Sequence, residues 1–154
     1  MSSYLTIYLV PKKTTSKYNY KTEQVEDTEI TKGIPLVYNS YSRNSDVYQA
    51  FWENLHPAYC GDVEKYTELT YEKAKYVISE FENDIKKTEQ RLETDYKMLK
   101  EGGSFDELWE DIHSMEEYLR EQKDTLNELN FIADFVYNIT NGYTDFEKVL
   151  INID

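Results

Sequence analysis

The sequence predicts an α+β fold: a small, mostly antiparallel sheet of about three strands, packed on a long antiparallel helical hairpin over residues 70–141, with one short helix at 45–55. Three observations predict it. Two long apolar seams flank a Gly102-Gly103 break, strand-like alternation occurs at both ends of the chain, and the second seam broadens until its helix is apolar nearly all round.

The hairpin comes first. Leu108, Ile112, Met115, Leu119, Gln122, Leu126, Leu129, Ala133 and Val136 are spaced alternately by four and three, the seam of a helix packed along its length. Ala74, Ile78, Phe81, Ile85, Thr88, Leu92, then Asp95 or Tyr96, then Leu99 repeat the pattern upstream. No proline interrupts either run. Thr70 is placed to cap the first helix, and Gly102 to end it in the left-handed conformation. Ser104 with Glu107 three residues on is a capping box that starts the second. So short a link implies antiparallel neighbours, each about 45–55 Å long at 1.5 Å per residue. Beyond Leu126 the residues Leu129, Phe131, Ile132, Ala133, Phe135, Val136 and Ile139 surround the helix, so this half is expected against the sheet. The Gly102-Gly103 end then projects as an arm.

The strands follow. Leu5, Ile7 and Leu9 alternate with Tyr4, Thr6 and Tyr8, and Pro11 ends the run. Residues 12–33 read as a long polar loop with a weak strand near Lys17–Val25, and residues 34–42 as a second strand. Tyr4, Tyr8, Tyr38 and Tyr41 are expected on the outer sheet face. Asn44 or Ser45 caps a short helix whose Val47, Ala50, Phe51 and Leu55 turn inward, and His56-Pro57 is expected to stop it. Ala58–Leu69 reads as an irregular connection. Asn141-Gly142 closes the second long helix, and Val149, Ile151 and Ile153 form a last strand whose apolar set suits pairing with the first. One domain over 1–154 is expected, since 154 residues can bury a real core.

Composition narrows the function classes. The formal charge is −13 and the excess is uneven: residues 102–141 hold ten acids and two bases. This sign opposes direct nucleic-acid binding, which needs cations against phosphate. It suits a basic protein partner, including one that itself binds nucleic acid. With no apolar run of about eighteen residues, no membrane span is expected. Met1-Ser2-Ser3-Tyr4 leads directly into a strand pattern, so no signal peptide is expected. The single cysteine, Cys60, excludes an internal disulfide and fits a reducing cytosol, so a cytoplasmic location is expected.

Catalytic motifs are lacking. His56, Cys60 and Asp62 cluster, but a zinc centre needs further ligands, and His113 lies on the arm. Carboxylate pairs such as Asp106/Glu110 fall on polar helix faces, where nothing desolvates one partner. No catalytic residue, metal or cofactor is assigned. Abundant Tyr, Asn, Lys, Glu and Ile, small size and acidity give the profile of a phage or mobile-element accessory protein, a compositional impression without a motif.

The leading expectation is a non-enzymatic protein–protein interaction module, an inhibitor or mimic that occupies a basic surface. Its residues are Asp106, Glu107, Glu110, Asp111, Glu116 and Glu117, with Trp109 as an apolar anchor among them. A homo-oligomer, such as a homodimer, assembled through the hairpin is one alternative. A small, nucleotide-like ligand held by the 43–46 turn is the other: Arg43 for an anion, Ser45 and Asp46 as donor and acceptor, and His56 nearby.

Overall fold

A computed structural model of the chain describes residues 3–12, 15–19, 21, 24–28, 36–59 and 67–153, with residues 15–19, 24–28 and 56–59 followed by backbone alone. Its elements run β1 (Tyr4–Pro11), β2 (Thr15–Asn19), β3 (Gln24–Thr28), β4 (Leu36–Ser42), α1 (Asp46–Tyr59), β5 (Thr67–Glu68), α2 (Tyr71–Lys100), α3 (Phe105–Thr140) and β6 (Phe146–Ile153). The class is α+β, as the sequence predicts. The main sheet has four antiparallel strands in the order β4-β1-β6-β5, one more than the expected three.

The centre of the sheet follows from alternation. Leu5 pairs with Ile153, Ile7 with Ile151 and Leu9 with Val149, so all six apolar side chains share one face and are buried. The extra strand, β5, is two residues long and pairs with β6 inside the stretch expected to be irregular. Two residues are too few for alternation to show. Residues 12–33 hold a separate two-stranded sheet rather than a loop with one weak strand: β2 and β3 pair antiparallel from Thr15↔Thr28 to Asn19↔Gln24. Polar residues throughout that run give no period-two signal.

Two strand tyrosines are placed differently from expectation. Tyr41 pairs across from the inward Leu5, and cross-strand neighbours share a face, so Tyr41 turns toward the helices. There its hydroxyl donates to Glu128 Oε1 at 2.5 Å. The register shifts between Ile7 and Tyr8, leaving Tyr38 as the extra residue of a bulge. Tyr38 stacks on Phe135 of α3, ring centroids 4.8 Å apart.

The core lies between the inner sheet face, α1 and the base of the helical hairpin. α1 contributes Val47, Tyr48, Ala50, Phe51 and Leu55; α2 contributes Ala74, Val77 and Ile78; α3 contributes Leu129, Ile132, Ala133, Val136 and Ile139. Ser45 caps α1, its Oγ accepting from the Tyr48 amide at 3.1 Å. The helix runs to Tyr59, past His56-Pro57, where a stop was expected. Pro57 falls in the last turn, where the missing N–H costs a single backbone bond to the turn before it.

Thr70 caps α2, accepting from the Lys73 amide at 3.2 Å. Its end is a complete Schellman closure. Gly102 sits at φ +90°, its amide donates to the Leu99 carbonyl, and the Gly103 amide reaches back to Met98. The same closure ends α3, with Gly142 at φ +75° and the Tyr143 amide on the Asn138 carbonyl. The capping box fails. Ser104 holds the N-cap position without a side-chain bond, and α3 starts on the backbone bond from Leu108 to the Ser104 carbonyl.

Core packing stops near Ile78 and Leu129. Beyond that level α2 and α3 continue as a paired arm, joined by a seam that includes Ile85, Leu92 and Ile112. Where Asp95 and Tyr96 compete for the seam position, Asp95 is buried and Tyr96 exposed. At 30 and 36 residues, the helices are about 45 and 54 Å long.

Candidate interaction surface on the helical arm

The acids expected to form one surface separate into distinct settings. A helix turns about 100° per residue, which puts Asp106, Glu110 and Glu117 within ~40° of one another. They form a stripe down the flank of α3 away from α2, all exposed, and Glu121 extends it. Glu107 is exposed further round the helix. None of these acids makes an ion pair with a described basic residue.

Asp111 and Glu116 turn the other way, toward α2. Asp111 Oδ1 receives Arg91 Nη2 at 2.5 Å. It also lies across the hairpin from the buried Asp95. Interaction between the two carboxyls, with burial adding to it, raises Asp95 above the usual carboxylate range. The same interaction, together with Arg91, holds Asp111 below it. Glu116 accepts the Tyr96 hydroxyl, which pushes the Tyr96 phenol up. These two acids join the arm's helices, while the flank residues and Glu107 face outward.

Trp109 belongs to a row that one-residue-at-a-time reading misses. Phe105, Trp109 and His113 follow at four-residue spacing and their rings stack in series, centroids 5.6 and 6.4 Å apart. Phe105 is 58% exposed and Trp109 53%. The row runs along the side of α3 next to the acidic stripe. Further down the same side lie Glu116, Arg120 and Lys123, which form one wall of a groove of about 820 Å³ between α2 and α3. Its floor is Leu92, Tyr96 and Leu119. The i, i+4, i+8 spacing of the aromatics was the available signal; the groove needs the register between two helices, which no single-helix pattern supplies.

Among the described residues, Arg43, Ser45 and Asp46 of the 43–46 turn do not converge on one cleft. Arg43 is exposed and borders a cleft of about 190 Å³ with Ser3, Tyr48, Gln49 and Trp52. Ser45 is spent on capping α1. Asp46 opens instead into a separate cleft of about 80 Å³ with Asp84, Tyr118 and Gln122, and accepts from Thr125 Oγ1 at 3.4 Å. The His56 side chain and Cys60 lie outside the described residues. Among the described residues no group of three His, Cys, Asp or Glu is arranged to hold a metal ion, and no helix is long and apolar enough to cross a membrane.

No protein family, curated protein or solved structure matches the chain. The fold and its surfaces therefore carry the functional reading.

Proposed function

We propose that the protein is a non-enzymatic interaction module whose arm presents the acidic flank of α3 to a basic surface of a protein partner. The observation that carries this reading is the stripe of Asp106, Glu110 and Glu117. These acids are exposed, aligned and unmatched by any described base, on a helix whose only two bases, Arg120 and Lys123, both face the groove. Uncompensated charge of one sign steers association with an opposite surface and selects against wrong partners. An inhibitor or mimic that occupies such a surface is the form of this function the charge suits best. Trp109, beside the stripe, supplies an apolar anchor at its edge. The ligand alternative is not carried forward, because Arg43 and Asp46 open into separate clefts.

The test compares two variants of equal net charge. D106K/E110K/E117K reverses the flank, while E72K/E82K/E147K reverses three exposed acids elsewhere. Affinity capture from a lysate of the source cell, quantified by mass spectrometry, should lose its basic partner with the first variant and keep it with the second. Equal loss with both would reduce the effect to overall charge and refute the flank.

A further inference from the structure

The groove face of the arm carries a charge pattern different from the acidic outer flank of α3. In a chain of formal charge −13, the groove is balanced: four acids and four bases line it. Lys97, Lys100, Arg120 and Lys123 all face it, and none forms an ion pair with a described residue. Lys97 and Lys100 sit toward the arm's tip on α2, with Glu89 and Glu93 one to two turns below on the same wall. The floor is apolar, and the exposed Phe105 and Trp109 continue its α3 wall toward the tip. An open two-helix face with an apolar floor and uncommitted charges of both signs suits a helical occupant.

We propose that this occupant is a second copy of the chain, the two arms packing face to face and antiparallel as a four-helix bundle about a two-fold axis near Tyr96. The pattern is self-complementary under that operation, as an isologous interface requires. With α2 against α2, Lys97 and Lys100 come level with the second copy's Glu93 and Glu89, and the reverse holds by symmetry. With α3 against α3, the contacts of Arg91 with Asp111 and Tyr96 with Glu116 bracket the level of the axis on α3 between residues 106 and 116, so the tip aromatics of one copy meet the lower α3 wall of the other, which includes Leu119. Arg120 comes within a turn of the second copy's Asp106. A parallel two-fold would instead set α2 against α3, placing Lys97 and Lys100 across from the tip of α3 rather than from Glu93 and Glu89. The stripe of Glu110 and Glu117 points sideways from this interface, so each dimer presents two acidic flanks.

Sedimentation velocity with charge-reversed variants tests the arrangement. The wild type should run at twice the 18.4 kDa chain mass at high micromolar concentration. K97E/K100E and E89K/E93K should each be monomeric, because like charges then face each other in both halves of the interface, while far-UV circular dichroism stays helical. Mixing the two variants should restore a heterodimer, since both halves are then complementary. Phe105→Ser should also weaken the dimer, and E110K/E117K should leave it intact while abolishing capture of the basic partner. A monomeric wild type, a K97E/K100E variant that stays dimeric, or failure of the mixture to pair would each overturn the proposal.

Discussion

Asp95 shows what a single seam position decides. A heptad seam normally takes an apolar residue there, and the spacing alone leaves Asp95 and Tyr96 as rivals. The carboxyl is buried with Oδ2 unpartnered, and its interaction with Asp111 across the hairpin, together with burial, raises its pKa. The sign of the pH dependence follows. With its pKa raised, Asp95 contributes stability that is full below the ordinary carboxylate value and is lost as pH rises through the raised one. With its pKa lowered, Asp111 contributes above the ordinary value and loses that contribution as pH falls through the lowered one. The arm is therefore held best between the two transitions, with Asp95 protonated and Asp111 ionised. Asp95→Asn keeps a donor toward Asp111 without titrating. Urea midpoints measured against pH should decline for the wild type above the Asp95 transition and stay level for the variant; parallel declines would exclude Asp95 as the cause.

Two other residues make local predictions. A Cβ at Gly103 would meet Leu108 Cδ1 at 2.8 Å and the Met98 carbonyl at 2.9 Å, and the second of these is backbone that cannot step aside cheaply. Gly102 has open space but sits at φ +90°. Alanine at Gly102 should cost about 1 kcal/mol through strain alone, and alanine at Gly103 more, because the closure itself must shift; equal costs in chemical denaturation would contradict this distinction. Tyr41→Phe should cost about 1 kcal/mol, since it removes the donor to half-buried Glu128. Burial and that hydrogen bond together raise the Tyr41 phenol, which stays protonated throughout the neutral range.

At the scale of elements, legibility in the sequence tracked periodicity. The hairpin was readable because its apolar residues repeat at helical spacing over eight turns or more, and Gly102 and Gly142 mark both closures. The pairing of β1 with β6 was readable because strict alternation leaves one way to bury six side chains. The β2–β3 hairpin and β5 were not, because polar strands and two-residue strands carry no period. The capping box at Ser104 was legible and misleading: the motif is in the chain, but Ser104 makes no side-chain cap bond and α3 opens on backbone bonding. The candidate site was legible as an acidic concentration on α3 but not as a flank. Which acids turn inward depends on the register of α2 against α3. Packing predicts an order of opening within the hairpin. Amides of the tip, held by the arm seam alone, should exchange with deuterium faster than those near Ile78 and Val136, which pack on the sheet. Thr70→Ala, removing the cap at the base of α2, should cost about 1 kcal/mol in global unfolding without changing this order.

On the scale of the whole molecule, the design separates support from display. The sheet, α1 and the hairpin base bury nearly all of the large apolar side chains that form one core. The arm extends beyond that core, with charge sorted by face: mixed toward the groove, acidic along the outer flank. Such sorting costs nothing in the core and leaves the flank facing solvent, where the proposed function would have it steer a partner. The decisive measurement is the association rate with the captured basic partner, followed by stopped flow over a range of salt, for the wild type and for D106K/E110K/E117K. Docking through the flank predicts a wild-type rate that falls steeply with salt, and a variant rate at least about tenfold lower at low salt with little salt dependence left. A variant that associates as fast as the wild type, with the same salt dependence, would contradict it.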